Sequence, residues 1–176
     1  AVRVWLSYLP SNWNEKPPVA PAAEPSSPRT VREVVPERES EVYDVHELIE
    51  ALVDEDTFLP VKELFAPELV TGFARIEGHS VGLVANQPIH RGGVLFPDSS
   101  DKAARFIWTC NAYNVPLVFL VDIAGYMIGS EVERQGIIRH GAKMLFAVAE
   151  SRVPRIAVLV RKAYGGGYLA MSGSPM

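Results

Sequence analysis

Val115-Pro116-Leu117-Val118-Phe119-Leu120-Val121-Asp122-Ile123-Ala124-Gly125-Tyr126 and Val153-Pro154-Arg155-Ile156-Ala157-Val158-Leu159-Val160-Arg161-Lys162-Ala163-Tyr164-Gly165-Gly166-Gly167-Tyr168 are two versions of one pattern. Each begins with Val-Pro, runs through an apolar segment (117–121 and 156–160) and breaks into glycine. Between them, Ile138, Ala142, Leu145, Phe146 and Ala149 recur at three- and four-residue steps and form the apolar stripe of a helix. Thirty-eight positions separate Pro116 from Pro154, which suits a right-handed strand–helix–strand crossover of roughly thirty residues or more. Open α/β sheets keep their sites at the C-terminal ends of such strands. The two glycine loops, 122–126 and 161–168, are therefore expected side by side.

Working outward, 176 residues with a hydrophobic fraction of 48% can bury one core of ordinary size. A net charge of −4 with no dense Lys/Arg cluster discounts nucleic acid as a partner. No apolar run approaches the roughly twenty residues that cross a bilayer, and no cleavable leader is evident, so a soluble intracellular protein with no membrane partner is expected. Cys110, the single cysteine, cannot form an internal disulfide. It shares the apolar side of a predicted helix with Ala103, Phe106 and Ile107, which makes it a core thiol.

Val2, Trp5, Leu6 and Leu9 have helical spacing with no capping residue before them, the pattern of a helix end. Seven of the fourteen prolines follow within residues 10–36, a composition expected to form an extended or irregular connector. Asp44 and Glu47 predict a capping box ahead of Leu48, Ile49, Leu52 and Val53. Residues 69–76 and 81–85 read as strands joined by Glu77-Gly78-His79-Ser80, a hairpin. After a loop over 86–96, Asp98, Ser99 and Ser100 offer N-caps for a helix running to about Tyr113. The expected order is β, β, α, β, α, β.

Side-chain chemistry is sparse. His46, His79, His90 and His140 lack metal-ligand spacing; His140 falls opposite the apolar stripe of its helix, and all four read as surface residues. No Gly-x-Ser-x-Gly nucleophile elbow occurs; the remote approximation Ser172-Gly173-Ser174 has no strand before it. Gly165-Gly166-Gly167 fits neither the dinucleotide fingerprint nor a phosphate-binding loop, because Lys162 precedes the glycines. The triple glycine can be a tight turn, or it can present paired N–H groups as an oxyanion hole, with Lys162, Tyr164 and Tyr168 as walls.

Three segments in order, Asp-Ser-Ser-Asp-Lys-Ala-Ala-Arg-Phe-Ile from Asp98, Gly-Ile-Ile-Arg-His-Gly-Ala-Lys from Gly136 and Arg-Lys-Ala-Tyr-Gly-Gly-Gly-Tyr from Arg161, resemble the carboxyltransferase (β) component of biotin-dependent acyl-CoA carboxylases. Ser-Tyr-Leu-Pro-Ser-Asn from Ser7 and the stretch from Tyr43 to Gln87 extend the likeness over nearly the whole chain outside the proline-rich connector. The resemblance implies an α/β fold of the crotonase type, a superhelix of ββα units, with this chain an incomplete C-terminal, biotin-side carboxyltransferase domain. Residues 1–9 would then end a preceding N-terminal carboxyltransferase domain, 10–40 form the Pro-rich linker, and 41–176 belong to the C-terminal domain.

The implied activity is transfer of a carboxyl group from carboxybiotin, carried on a separate protein, to the α-carbon of an acyl-CoA. No metal takes part in this component. Gly166 and Gly167 would present the backbone oxyanion hole for the biotin ureido oxygen. Ala124, Gly125, Tyr126, Gly165 and Tyr168 would line the biotin cleft; many relatives carry proline at the position of Ala124 and phenylalanine at that of Tyr126. Leu169, where several relatives carry aspartate, would face the acyl group. Implied partners are acyl-CoA, the biotin carboxyl carrier and biotin carboxylase components, and further copies of the chain in a dimer or trimer of dimers. The implied location is cytoplasmic, or the mitochondrial matrix in a eukaryote. The chain alone is expected to be inactive. Two other readings stay open: a biotin-dependent decarboxylase of the glutaconyl-CoA type, and a non-catalytic scaffold.

Overall fold

The computed structural model describes residues 2–172. Its frame is a five-stranded sheet, β1 (Leu59–Pro60), β2 (Leu69–Ile76), β3 (His79–Asn86), β4 (Leu117–Ile123) and β5 (Arg155–Ala163), ordered as in the chain. β1, β2 and β3 pair antiparallel, whereas β3, β4 and β5 pair in parallel. Parallel neighbours need a crossover. α4 (Pro97–Ala112) supplies the first, and α5 (Ser130–Arg134) with α6 (Ile137–Glu150) supplies the second. The remaining helices are α1 (Val2–Leu6), α2 (Val31–Val34), α3 (Val45–Glu50) and α7 (Gly165–Ser172). The order read from sequence is present, with the short strand β1 added ahead of it.

The hairpin turn is tighter than the sequence suggests. Only Glu77 and Gly78 form it, with φ of 50° and 79°, the left-handed pair that matches strand twist in a two-residue turn. Asp54 stabilises it by accepting from both turn amides, at 2.8 and 2.7 Å. The Pro-rich connector runs across this corner: Ala20 N–H donates to the Gly78 carbonyl at 2.9 Å, and Val19 bridges His79. Within residues 10–36 the one regular element is the single turn α2. Proline removes backbone donors, so this segment is held by such isolated contacts.

Apolar side chains alternate between the sheet's two faces. Leu69, Phe73, Val84, Phe119 and Val121 pack with α4, α6 and α7. Val70, Ala74, Leu83, Val118 and Leu120 pack with Val45, Leu48 and Ile49 of α3. This double cover explains why β4 reads as a continuous apolar run. Cys110 lies on the α4 side, fully buried, and burial pushes its thiol pKa up, so it stays protonated and inert. Tyr8 and Leu9 also enter that core.

Three details differ from the sequence reading. Asp44 caps α3 by accepting from the His46 amide, but Glu47 forms no capping box; its carboxylate pairs with Arg29 instead. The N-cap of α4 is Phe96, followed by Pro97, so Asp98, Ser99 and Ser100 lie in the first turn. There Ser99 Oγ accepts from the Phe96 amide at 2.7 Å, doing a cap's work from inside the helix. The third concerns α6, whose buried face is Ile137, Gly141, Met144, Ala147 and Val148. Ile138 is 81% and Phe146 64% exposed. Because α6 is apolar around most of its circumference, two stripes satisfy helical periodicity, and packing against α4 selects the one containing Met144.

Candidate active site

β4 and β5 end on the same edge and deliver the two glycine loops to one place. A Cβ on Gly167 would stand 2.9 Å from Gly125 Cα, 3.0 Å from Gly125 carbonyl carbon and 2.7 Å from Ile123 Cδ1. The two backbones thus touch where a side chain would part them, and glycine at 167 is required by proximity. Gly165 needs glycine for a different reason, its φ of +59°.

Gly165, Gly166 and Gly167 form the first turn of α7. Their amides have no preceding helical carbonyl to meet, whereas Tyr168 N–H already reaches the Tyr164 carbonyl at 3.3 Å. The triple glycine is therefore a helix N-terminus, where orphan N–H groups and the helix dipole favour a negative oxygen. Gly165 and Gly166 are exposed, Gly167 is buried against the facing loop, and Tyr168 is half-buried against the core.

Facing α7, Ala124 is exposed and Gly125 adopts φ of +132°. The loop is held by a two-way exchange with Leu95: the Leu95 amide donates to the Gly125 carbonyl at 3.2 Å, and the Met127 amide donates to the Leu95 carbonyl at 2.9 Å. Tyr126 bridges the loop to α6. Its hydroxyl donates to the Gly141 carbonyl at 3.3 Å, its ring lies 3.0 Å from where a Gly141 Cβ would be, and its edge comes within 3.8 Å of the same point on Gly166. Burial raises the Tyr126 phenol to about 12, so it is neutral and acts as a wall.

Beside the glycines opens an apolar cavity of about 450 Å³ bounded by Gly166, Leu169, Tyr126, Ile138 and Leu145. Leu169 is half-exposed at its wall. The stripe of α6 that sequence assigns to the interior thus lines this groove in part. The structure brings Ala124, Gly125, Tyr126, Gly165, Gly166, Gly167 and Leu169 to one edge, with Tyr168 behind them.

Residues 1–176 match the family model described as the carboxyl transferase domain. The chain belongs to the carboxyl transferase domain family. It is 55% identical over 173 residues to an uncharacterized carboxylase of Bacillus subtilis, covering 98% of this chain and 34% of that one. It is 46% identical over 177 residues to the propionyl-CoA carboxylase beta chain of Roseobacter denitrificans, covering 97% and 34%. The transcarboxylase 12S crystal structure, a hexamer with methylmalonyl-coenzyme A bound, superposes with a TM-score of 0.91 at 48% identity, over 97% of this chain and 34% of that one. This carboxyl transferase domain therefore has the crotonase-like α/β fold expected from the resemblance. The chain spans about a third of the length of these relatives.

Sequence reasoning missed several groups in this carboxyl transferase domain. Asp101 of α4 accepts from Lys143 Nζ at 2.6 Å and pairs with His140 Nδ1 at 2.9 Å, both on α6. His140 is thus partly buried in an interhelical pair, because selection of the other apolar stripe turned it toward α4. Lys102 of α4 donates to the carbonyls of Phe65 and Leu69 at 2.7 and 2.6 Å from a buried position, and desolvation lowers its pKa to about 8. Asp122 and Arg161, embedded in the apolar strands, form a buried pair at 2.9 Å. A charge inside an otherwise apolar run was the legible signal. Among the described residues, no group of three or more His, Cys, Asp and Glu could hold a metal ion, and no helix is long and apolar enough to cross a membrane.

Proposed function

We propose that this chain supplies the biotin side of a carboxyltransferase in a biotin-dependent acyl-CoA carboxylase. The observation that carries the reading is the contact of Gly167 with Gly125, which sets the N-terminal turn of α7, whose amides lack helical acceptors, against the loop that carries Tyr126. Carboxybiotin, held by the residues of this cleft, would supply the carboxyl group for transfer to the acyl α-carbon and a ureido nitrogen to take up the α-proton. The residues fit such a group, since the Gly166 Cβ position is open to the cleft, with its nearest neighbours in the Tyr126 ring at 3.8 Å. Gly166 and Gly167 would hold the ureido oxygen with their N–H groups and stabilise the negative charge that develops there. Fixed dipoles do this without reorganisation, which is why the cleft needs no ionised catalytic side chain. Ala124, Gly125, Gly165 and Tyr168 shape the cleft, and Tyr126 excludes water from one side.

On this reading residues 1–9 close a preceding domain, 10–40 link it, and 41–176 form the biotin-side domain. The acyl-CoA, the biotin carrier and a second copy of the chain are its partners, and the cytoplasm, or the mitochondrial matrix of a eukaryote, is its place. Relatives named as propionyl-CoA carboxylase subunits and a hexameric transcarboxylase support this assignment. The test is carboxyl transfer by the complete subunit, with carboxybiotin on its carrier and a panel of acyl-CoA thioesters. ATP-independent carboxylation at the α-carbon is expected. No transfer to any thioester, or decarboxylation alone coupled to sodium movement, would refute it.

A further inference from the structure

The pairing of β4 with β5 is regular from Leu117↔Arg155 to Val121↔Leu159 and resumes at Ile123↔Ala163, so between those pairs β5 runs two residues longer than β4. Asp122 occupies the break. Its Oδ2 accepts from Arg161 Nε and Nη2 at 3.0 and 2.9 Å, and its Oδ1 accepts from the Lys162 amide at 3.1 Å. Its own amide donates to Asn86 Oδ1 at 3.1 Å, and Asn86 Nδ2 donates to the Gly93 carbonyl at 3.0 Å. Arg161 uses its remaining nitrogen, Nη1, on the carbonyls of Arg38 and Glu41 at 3.0 and 2.8 Å, with its guanidinium 4.9 Å from the Tyr43 ring centroid. The Asp122 and Arg161 side chains are 2% and 8% exposed.

The energetics of such a pair favour specificity over stability. Desolvating both ions costs about what their attraction returns, and apolar residues of similar volume often serve stability as well. What apolar residues cannot do is bind the Lys162 amide and hold β5 out of register. That offset has a consequence two residues later, where Tyr164 N–H reaches the Ile123 carbonyl at 3.1 Å and Gly165 starts α7. Ile123, the next residue after Asp122, is also the side chain nearest to the Gly167 Cβ position.

We infer that Asp122 and Arg161 are positioning residues for carboxyl transfer: their pair, with two guanidinium nitrogens on one carboxylate oxygen and the Lys162 amide on the other, sets the two-residue offset of β5 and so places the Gly166 and Gly167 amides against the 124–126 loop. This inference rests on the oxyanion-hole reading of those amides. Through Arg38 and Glu41 the pair also ties the connector to the site, so residues 38–41 share its geometry.

The experiment uses the complete enzyme and three variants: Asp122→Leu, the double Asp122→Leu/Arg161→Met, and Arg161→Lys. Removing one partner leaves a buried charge, so Asp122→Leu lowers Tm; the double variant regains it. Transfer does not return with stability. We expect kcat of the double variant about 10²-fold below the parent, the scale for roughly 1 Å of misplacement, with the KM for acyl-CoA little changed. Should the double variant not fold, Arg161→Lys decides: a single ammonium cannot make both Asp122 bonds and also hold the two carbonyls, so the offset loosens and kcat falls while KM stays near the parent. Parental kcat in a folded double variant, or in Arg161→Lys, overturns the inference. Gly167→Val run in parallel separates the two readings. An inactive Gly167→Val beside fully active pair variants defeats the positioning role alone, whereas a fully active Gly167→Val defeats the oxyanion hole.

Discussion

Replacing Gly167 by valine tests the candidate site at its tightest point. The Cβ alone would come within 2.9 Å of Gly125 Cα and 3.0 Å of its carbonyl carbon, whereas non-bonded carbons settle at about 3.5–4.0 Å. Ile123 Cδ1, at 2.7 Å, can rotate away, but the Gly125 backbone cannot, because Leu95 holds it from both sides. The α7 N-terminus and the 124–126 loop must therefore part by about 1 Å, a misplacement worth about 10²-fold in rate. Loss of one oxyanion donor costs about 3–4 kcal/mol, or about two to three orders of magnitude in kcat. Both routes predict collapse of carboxyl transfer, with overpacking costing about 1–3 kcal/mol of stability. Acyl-CoA affinity, measured by calorimetry beside the transfer rate and thermal melting, is expected to persist, since the mutation acts on the biotin side. Gly166→Ala is the internal control for sterics, because its Cβ would meet nothing closer than the Tyr126 ring at 3.8 Å. A folded Gly167→Val enzyme that transfers carboxyl at the parental rate would refute the reasoning.

Three further outcomes follow from particular side chains. Leu169→Asp in the complete enzyme should change the ratio of kcat/KM among acetyl-, propionyl- and longer acyl-CoA, because it places a charge in the apolar cavity wall; equal scaling for all thioesters would remove Leu169 from the pocket. The folded state holds the Lys102 pKa near 8, below its ordinary 10.5, so the unfolded chain binds more protons between those values and stability contributed by Lys102 rises from pH 8 to 10.5. Lys102→Met should flatten that rise in chemical denaturation, and an identical slope in both proteins would contradict it. Finally, Ile138 and Phe146 of α6, and Ile156 and Val158 of β5, are exposed on two separate elements, and exposed apolar surface drives association; the 176-residue chain by itself should self-associate and lack transferase activity, and a monodisperse active monomer in light scattering would count against this.

The alternation of the strands, the crossover between the two Val-Pro segments and the neighbourhood of the two glycine loops were legible in sequence. Each rests on local chemistry: proline at strand entry, apolar runs of strand length, and glycine where the backbone turns. The segments around Asp98, Gly136 and Arg161 likewise carried the family, because their residue order is itself the signal. Other features depend on which surfaces meet. Periodicity allows α6 either of two stripes, and contact with α4 decided in favour of Ile137, Met144 and Val148. That choice turned His140 toward Asp101 and left Ile138 to line the cavity. The two-residue offset of β5 and the buried Asp122–Arg161 pair are properties of paired strands, 39 positions apart in sequence. No local propensity encodes them. Sequence alone determined that glycines would end both strands, and tertiary structure decided that one of them, Gly167, presses its backbone onto Gly125, because close approach is settled only when both strands are in register.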